Sequence, residues 1–439
     1  MEHAHARRNT LILGCASTGA KFTPLNHAPT GDDLLDRICT GESIPTALDD
    51  VANEAADLYR MGCRYYHYHA RNPITREQTT DNEVYQRVSR DVQRRCKDML
   101  LSFGASRNGA EVQRNIREFG EWERVSQCAL PLHLGGAHFV TIQAAIELQV
   151  ICDLERKRGG LDTVFASSPA FLEALGRFEP SAREEMAKLD TNSTSKGADY
   201  GSTSPLIQYR VYCNAIQARR NLGLFHEVEW VQLVRSHAMT RFAVEHPQMR
   251  LGSSGQLNII LLFGFSPKLP FPQDYEEFRA VVRLAKSLEY DIGHSSRRAR
   301  KVTVTVGAAV MPRHAPLHYR PLDVGPRRGE AMCALRRLAA YAAQPDSGVD
   351  VLRVGMEDTP YAVDAQGQVR RGDNRLLLRT ALGVLDAHGV AAETDAEWIA
   401  ARMGLVQARE ALLRAQRRHP LGETATSPAA ESAECEVMA

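Results

Sequence analysis

Two short stretches hold residues that could act together: "CRYYHYHARNP" (Cys63 to Pro73) and "DVLRVGMED" (Asp350 to Asp358). The first sets His67 and His69 two residues apart among tyrosines that favour extended backbone. Alternation along a strand sends Tyr65, His67 and His69 to one face and Tyr66 and Tyr68 to the other. In the second stretch the same rule groups Val351, Arg353, Gly355 and Glu357 on one face, against Leu352, Val354 and Met356. An Arg and a Glu facing a core are costly unless paired or bound to a metal. Two neutral imidazoles from one strand and a carboxylate from another make a His2Glu set, which holds zinc and leaves it one position open for substrate or water. HxH alone more often marks packed or hydrogen-bonded histidines, and Arg353 with Asp358 reads equally as a structural ion pair. The inward Glu at a second strand end is what favours the metal.

Positioning these groups falls to a series of apolar runs alternating with helical patterns. "TLILGCAS" (Thr10 to Ser17) is a first strand. "TALDDVANEAADLYRMG" follows as a helix, with Thr46 as its expected N-cap, Val51, Ala55 and Leu58 on one face, and Gly62 as its stop. The histidine strand comes next, so the unit is strand, helix, strand, with parallel strands and a right-handed crossover. A helix over about 81–97, then "MLLSFGAS", "EMAKLDTNST", "HEVEWVQL", "LNIILLFGF", "KVTVTVGAAV" and "VDVLRVGMED" bring the strands to eight. That number fits a (β/α)8 TIM barrel over residues 9–405 better than an open sheet, and puts Glu357 and Asp358 at the C-terminal mouth where catalytic groups gather. Residues 108–184, with the apolar "FVTIQAAIELQVICDLERKRGG", exceed any ordinary connection and read as a helical insertion between strands 3 and 4. Thr394 and Glu397 offer a capping box for a last helix, and residues 415–439 turn small and polar, as a disordered tail would.

With 44% hydrophobic residues, 24% charged and a net charge of +1 in 439 residues, the chain has material for a large core and no basic field for nucleic acid or anionic lipid. The N-terminal apolar run is too short to span a membrane and lacks a signal-peptide pattern, so a cytoplasmic protein is expected. Nine cysteines never form a CxxC pair, which argues for reduced thiols rather than disulfides or a thiolate zinc site.

"GCASTGAKFTP" (Gly14 to Pro24), "SIPTALDDVANEAADLYRMGCRYYHYHARNP" (Ser43 to Pro73), "MAKLDTNS" (Met186 to Ser193) and "LRVGMEDTPY" (Leu352 to Tyr361) occur in the order seen in the β-keto acid cleavage enzymes. The chain resembles that family, whose best-known member is the 3-keto-5-aminohexanoate cleavage enzyme. The resemblance implies a zinc-dependent barrel that reacts a small β-keto acid with acetyl-CoA, giving acetoacetate and a new acyl-CoA. It implies His67, His69 and Glu357 as zinc ligands, Asp358 as general base and Arg353 as its orienting partner. Ser193 falls where the family has a Thr near the substrate. It also implies a homo-oligomer, for which the apolar "IQAAIELQVICDL" would supply a contact.

Departures fall around the substrate. Lys21 stands where the best-known member has a Glu, Asn72 where HxRDP is frequent, and Thr359 where VGxEDN is usual. The third strand lacks the family's Ser-Thr-Gly-Gly loop; Ser102 and Ser106 are the nearby substitutes, and Lys21 or Arg107 the candidates for anion binding. Two other readings compete. An amidohydrolase-type hydrolase also uses HxH, but on its first strand, with a Lys and two further His that are not evident here. A non-catalytic relative would keep the metal site and lose the substrate loop.

Overall fold

The computed structural model describes residues 9–104, 139–143, 225–309 and 330–405, with gaps inside these ranges that include 20–21 and 358–359. Among the described residues the elements run β1 (Thr10–Ala16), α1 (Asp33–Cys39), α2 (Leu48–Arg60), β2 (Cys63–Tyr68), α3 (Asn82–Arg95), β3 (Leu100–Gly104), β4 (Phe139–Gln143), β5 (Phe225–Trp230) and β6 (Gln256–Phe263). They continue with α4 (Tyr275–Ser295), β7 (Lys301–Ala308), α5 (Glu330–Ala342), β8 (Val351–Val354), β9 (Tyr361–Val363), β10 (Val369–Arg371), α6 (Asn374–Ala387), β11 (Ala391–Ala392) and α7 (Ala396–Arg402). Strands β1 to β8 pair in sequence order, each parallel to the next, and β8 pairs back onto β1. A parallel sheet whose last strand bonds its first has no edge, so this is a closed (β/α)8 barrel.

The two faces of the strands are sorted as alternation requires. Outward residues such as Cys15, Tyr66, Tyr68, Leu101, Val228, Trp230, Val304 and Leu352 pack against helices in one continuous core. Inward, Ile12, Tyr65, Leu100 and Val351 form an apolar floor that Ile399 and Met403 seal from below. Above the floor the interior turns polar, with Ser102, Glu227, Arg353, His67, His69 and Glu357 all buried. Gly14 and Gly307 stand in register on either side of Arg353, and a Cβ at Gly14 would meet the Tyr65 ring at 2.7 Å.

Three expectations change. The fourth strand is Phe139–Gln143 and not the 185–194 segment. An apolar run such as "FVTIQAAIELQV" has no periodicity that separates a buried strand from a helix, and the helical reading of residues 140–143 yields to pairing with β3 and β5. The stretches 105–138 and 144–224, which hold most of the expected insertion, lie outside the described residues, as do 406–439. Helix α2 begins one residue late for a Thr46 cap: its N-cap is Ala47, with no side-chain bond. The last helix is capped by Asp395, which accepts from the amides of Glu397 and Trp398, and not by Thr394. Glu393 already accepts the amides of Thr394 and Asp395, which fixes the turn one residue further along.

Among the described residues no helix is long and apolar enough to cross a membrane.

Candidate metal centre

The ends of β1, β2 and β8 are laced together by their own backbones. Ser17 N–H donates to the carbonyl of His67 and Glu357 N–H to that of Ala16, both at 3.1 Å. Thr18 extends the lacing with a side chain: its Oγ1 donates to the His69 carbonyl and accepts from the His69 amide, each at 2.7 Å. Gly355, with φ of 141°, lets β8 pass against the Ala16 backbone at a place where any Cβ would collide. Beyond it the chain turns Glu357 back over the barrel, into the space that a side chain at Gly19 would fill. Arg71, buried and two residues beyond His69, donates to the carbonyls of Gly19, Phe22 and Arg76 and so ties the loop after β1 to the loop after β2.

Three donor groups converge inside this frame. His67 Nε2 lies 3.2 Å from Glu357 Oε2, and His69 Nε2 lies 3.4 Å from Glu357 Oε1. All three residues are buried, and their ligating atoms lie within 4.8 Å of one another. A tetrahedral zinc with bonds of about 2.0–2.1 Å holds its ligands about 3.3 Å apart.

Donor chemistry shows that these residues fit a cation. Ser102 has one hydroxyl proton and gives it to Glu227 Oε2, 2.6 Å away. His67 Nδ1, 2.9 Å from Ser102 Oγ, then carries the hydrogen of that bond. The Nε2 of His67 is left with a lone pair, facing a Glu357 oxygen that no hydrogen bond reaches. Two lone pairs at that separation repel unless a positive charge sits between them.

Electrostatics agree. Burial raises the Glu357 carboxyl, but positive charge on His67, whose ring is protonated in this balance where no cation is bound, on Arg353 and on His69 outweighs it and holds the group well below the usual range. Arg353 lies 3.3 Å from Glu357 Oε2, wholly buried, and supplies part of that field.

The sequence carries a family signature over part of this frame. Residues 25–194 match the model of the beta-keto acid cleavage enzyme family. The matched segment contains both histidines, while Glu357 lies outside it and joins them only through barrel closure. No curated protein shows significant sequence similarity to the chain. Among solved structures, the binary complex of ObcA with oxaloacetate is similar at 13% identity and a TM-score of 0.43, over 82% of this chain and 67% of that one. A ternary complex of ObcA with a C4-CoA adduct and oxalate gives 13% and 0.42 over the same shares. A beta-glucosidase from Thermotoga maritima gives 10% identity and 0.40, over 87% of this chain and 98% of that one.

Of the other residues expected at the site, Ser102 is buried beside His67, its hydroxyl bonded to both His67 and Glu227. Arg353 is ion-paired with Glu357. Lys21, Ser106, Ser193 and Asp358 lie outside the described residues, as does Arg107. Ser193 was placed by a fourth strand at 185–194; the threonine of the observed strand is Thr141, in register with Glu227.

Sequence reasoning passed over Glu227. Its Oε2 also accepts from Tyr65 at 2.7 Å, and burial pushes its carboxyl up to about 7 against the lowering bonds from Ser102 and Tyr65. The signal was present: "HEVEW" sets Glu227 and Glu229 on one face of a strand by the same alternation that singled out His67 and His69.

Proposed function

We propose that the chain cleaves a small β-keto acid with acetyl-CoA, using zinc held by His67, His69 and Glu357. The acyl part of the keto acid passes to CoA, and its carboxymethyl carbon joins the acetyl group, giving acetoacetate and a new acyl-CoA. The observation that carries the reading is the convergence of the His67, His69 and Glu357 ligand atoms at the barrel mouth, two of them within the family-matched segment. A zinc ion there polarises the keto oxygen as a Lewis acid.

The chain's own residues supply the rest. Glu227, through Ser102, fixes the tautomer and orientation of His67, as a partner behind a ligating imidazole does. Arg353 places a permanent positive charge beneath the mouth, where it keeps carboxylates ionised. Asp358, the residue after Glu357, is the general base that takes a proton from the substrate carbon next to the keto group. Lys21 and Ser106 are the sequence's candidates for meeting a substrate carboxylate, and Ser193 for a position near the substrate.

The test is a panel of β-keto acids incubated with zinc-loaded protein, with acetoacetate measured in the presence and absence of acetyl-CoA. Acetoacetate that appears only with acetyl-CoA supports the reaction. Metal-loaded protein that releases none from any member of a chemically broad panel overturns it.

A further inference from the structure

Outside the barrel wall, directly behind the ligand-bearing strand ends, lies a second buried cluster that the proposed chemistry does not use. Its centre is Glu54 of α2, only 4% exposed although it sits on a helix packed against the sheet. Its Oε2 accepts from the hydroxyl of Ser17, at the end of β1, and at 3.0 Å from Nδ2 of Asn374, the first residue of α6. Asn374 also donates to the Ser17 carbonyl at 3.3 Å, and its Oδ1 accepts the amide of Met356 at 2.8 Å. Arg375, Asp373 and Tyr66 are the other charged or titratable groups near this carboxyl.

Two bonds tie this cluster to the proposed ligands, one through the residue before Glu357 and one onto the backbone of His67. Met356 precedes Glu357. Ser17 follows Ala16, whose carbonyl takes the Glu357 amide, and Ser17 itself donates to the His67 carbonyl. A buried carboxylate with nothing to hold would be replaced by Leu or Met at lower cost, since desolvation favours the apolar side chain.

We infer that Glu54 and Asn374, acting through Ser17 and the Met356 amide, are positioning residues that set the separation of His67 from Glu357 and thereby the affinity for the metal. This rests on the metal centre proposed above. Partners behind metal ligands typically contribute about 10–100-fold in affinity. Asn374 is the single link that both donates to Glu54 and accepts from the Met356 amide, so it is where the device can be broken without emptying the core.

The probe is Co2+ added to metal-stripped full-length protein, read by chelator competition and by the visible absorption of the bound ion. At pH 8, Asn374→Asp keeps the acceptor for Met356 but sets an ionised carboxylate against Glu54, which burial keeps protonated only up to about pH 7. It should weaken Co2+ binding about 10–100-fold and shift the absorption bands, which a purely structural role would leave in place. The double variant Glu54→Gln/Asn374→Asp restores a donor facing an acceptor and should recover most of the affinity and the wild-type bands. Glu54→Leu, which loses the acceptor, should behave like Asn374→Asp, whereas Glu54→Gln keeps an acceptor oxygen and should not. Wild-type affinity and spectrum in Asn374→Asp overturn the inference, as does a folded double variant that fails to recover. A wild-type protein that binds no Co2+ removes the metal centre itself, and this inference with it.

Discussion

The barrel interior holds two buried polar clusters that look alike by composition and differ in chemistry. Between β6 and β7, Gln256 donates to Asn258 at 3.2 Å and to Thr303, and Thr303 donates to Asn258. Each of those contacts matches a donor to an acceptor and all the groups are neutral, although the Asn258 Nδ2 is buried without a hydrogen bond. At the meeting of β8, β1 and β2, Glu357 faces two imidazoles, one of which has its only ring hydrogen committed to Ser102. The first cluster turns neutral donors and acceptors on one another; the second converges lone pairs on a point, where a cation would satisfy them. Burial and polarity are shared by both, so the direction of the donors separates a packing device from a site.

The largest effect expected from breaking that contrast is loss of the metal. Protein purified without chelator should hold about one zinc per chain, the open-site stoichiometry of a His2Glu centre, and His67→Ala or His69→Ala should lose most of it with all turnover. Elemental analysis decides this, and Thr303→Val in the neutral cluster is the control: it should lower stability by about 1–3 kcal/mol and leave metal content unchanged.

Asp358→Asn should lower kcat by about 10²–10⁴-fold while metal content stays at the wild-type level, because the carboxylate is needed for a proton and not for coordination. Equal loss of metal in that variant would move Asp358 into the ligand set. Ser102→Ala should weaken zinc affinity by about 10–100-fold in a chelator competition, since it cuts the bond that fixes the His67 tautomer.

The smallest effect is on stability against pH. Burial raises the Glu54 carboxyl to about 7, opposed by its bonds from Ser17 and Asn374. An unfolded chain releases that proton near pH 4.5, the ordinary carboxylate value, while the folded chain keeps it until about pH 7. The folded state therefore binds more protons across that window, and its stability falls as pH rises from 4.5 to 7 and levels off above. Glu54→Gln stays neutral throughout, so its Tm should decline less than that of the wild type between pH 5 and about 7.5; parallel Tm curves would show that Glu54 ionises normally in the fold.

Much of this was legible without coordinates, because period-two alternation is a local property of extended backbone. It grouped Tyr65, His67 and His69 on one face and Tyr66 and Tyr68 on the other, and the structure has the first face inside the barrel and the second against the helices. The same rule applied to Arg353 and Glu357 put both inside, where they are found. The rule would also have found Glu227, had it been applied to "HEVEW". It failed at β4, where a run of five paired residues sits within a longer apolar stretch and local pattern does not tell strand from helix.

What the sequence determined by itself, then, was which side chains enter the barrel and in what order the strands follow, since both depend on residues adjacent in the chain. Only the tertiary structure decided who meets whom. Glu357 is 288 residues beyond His69 in the numbering, and they touch because β8 closes onto β1 and Gly355 lets the strand end pass close against Ala16. Ser102 serves His67 rather than standing free at the mouth because register sets His67 beside it on β3 and Glu227 reaches it from β5. Glu54, on a helix whose pattern reads only as amphipathic, gains its partners because α2 and α6 both pack behind the strands that carry the ligands. Contacts between residues so distant in the chain depend on closure, register and twist, which are properties of the whole sheet and leave no mark in any short stretch of sequence.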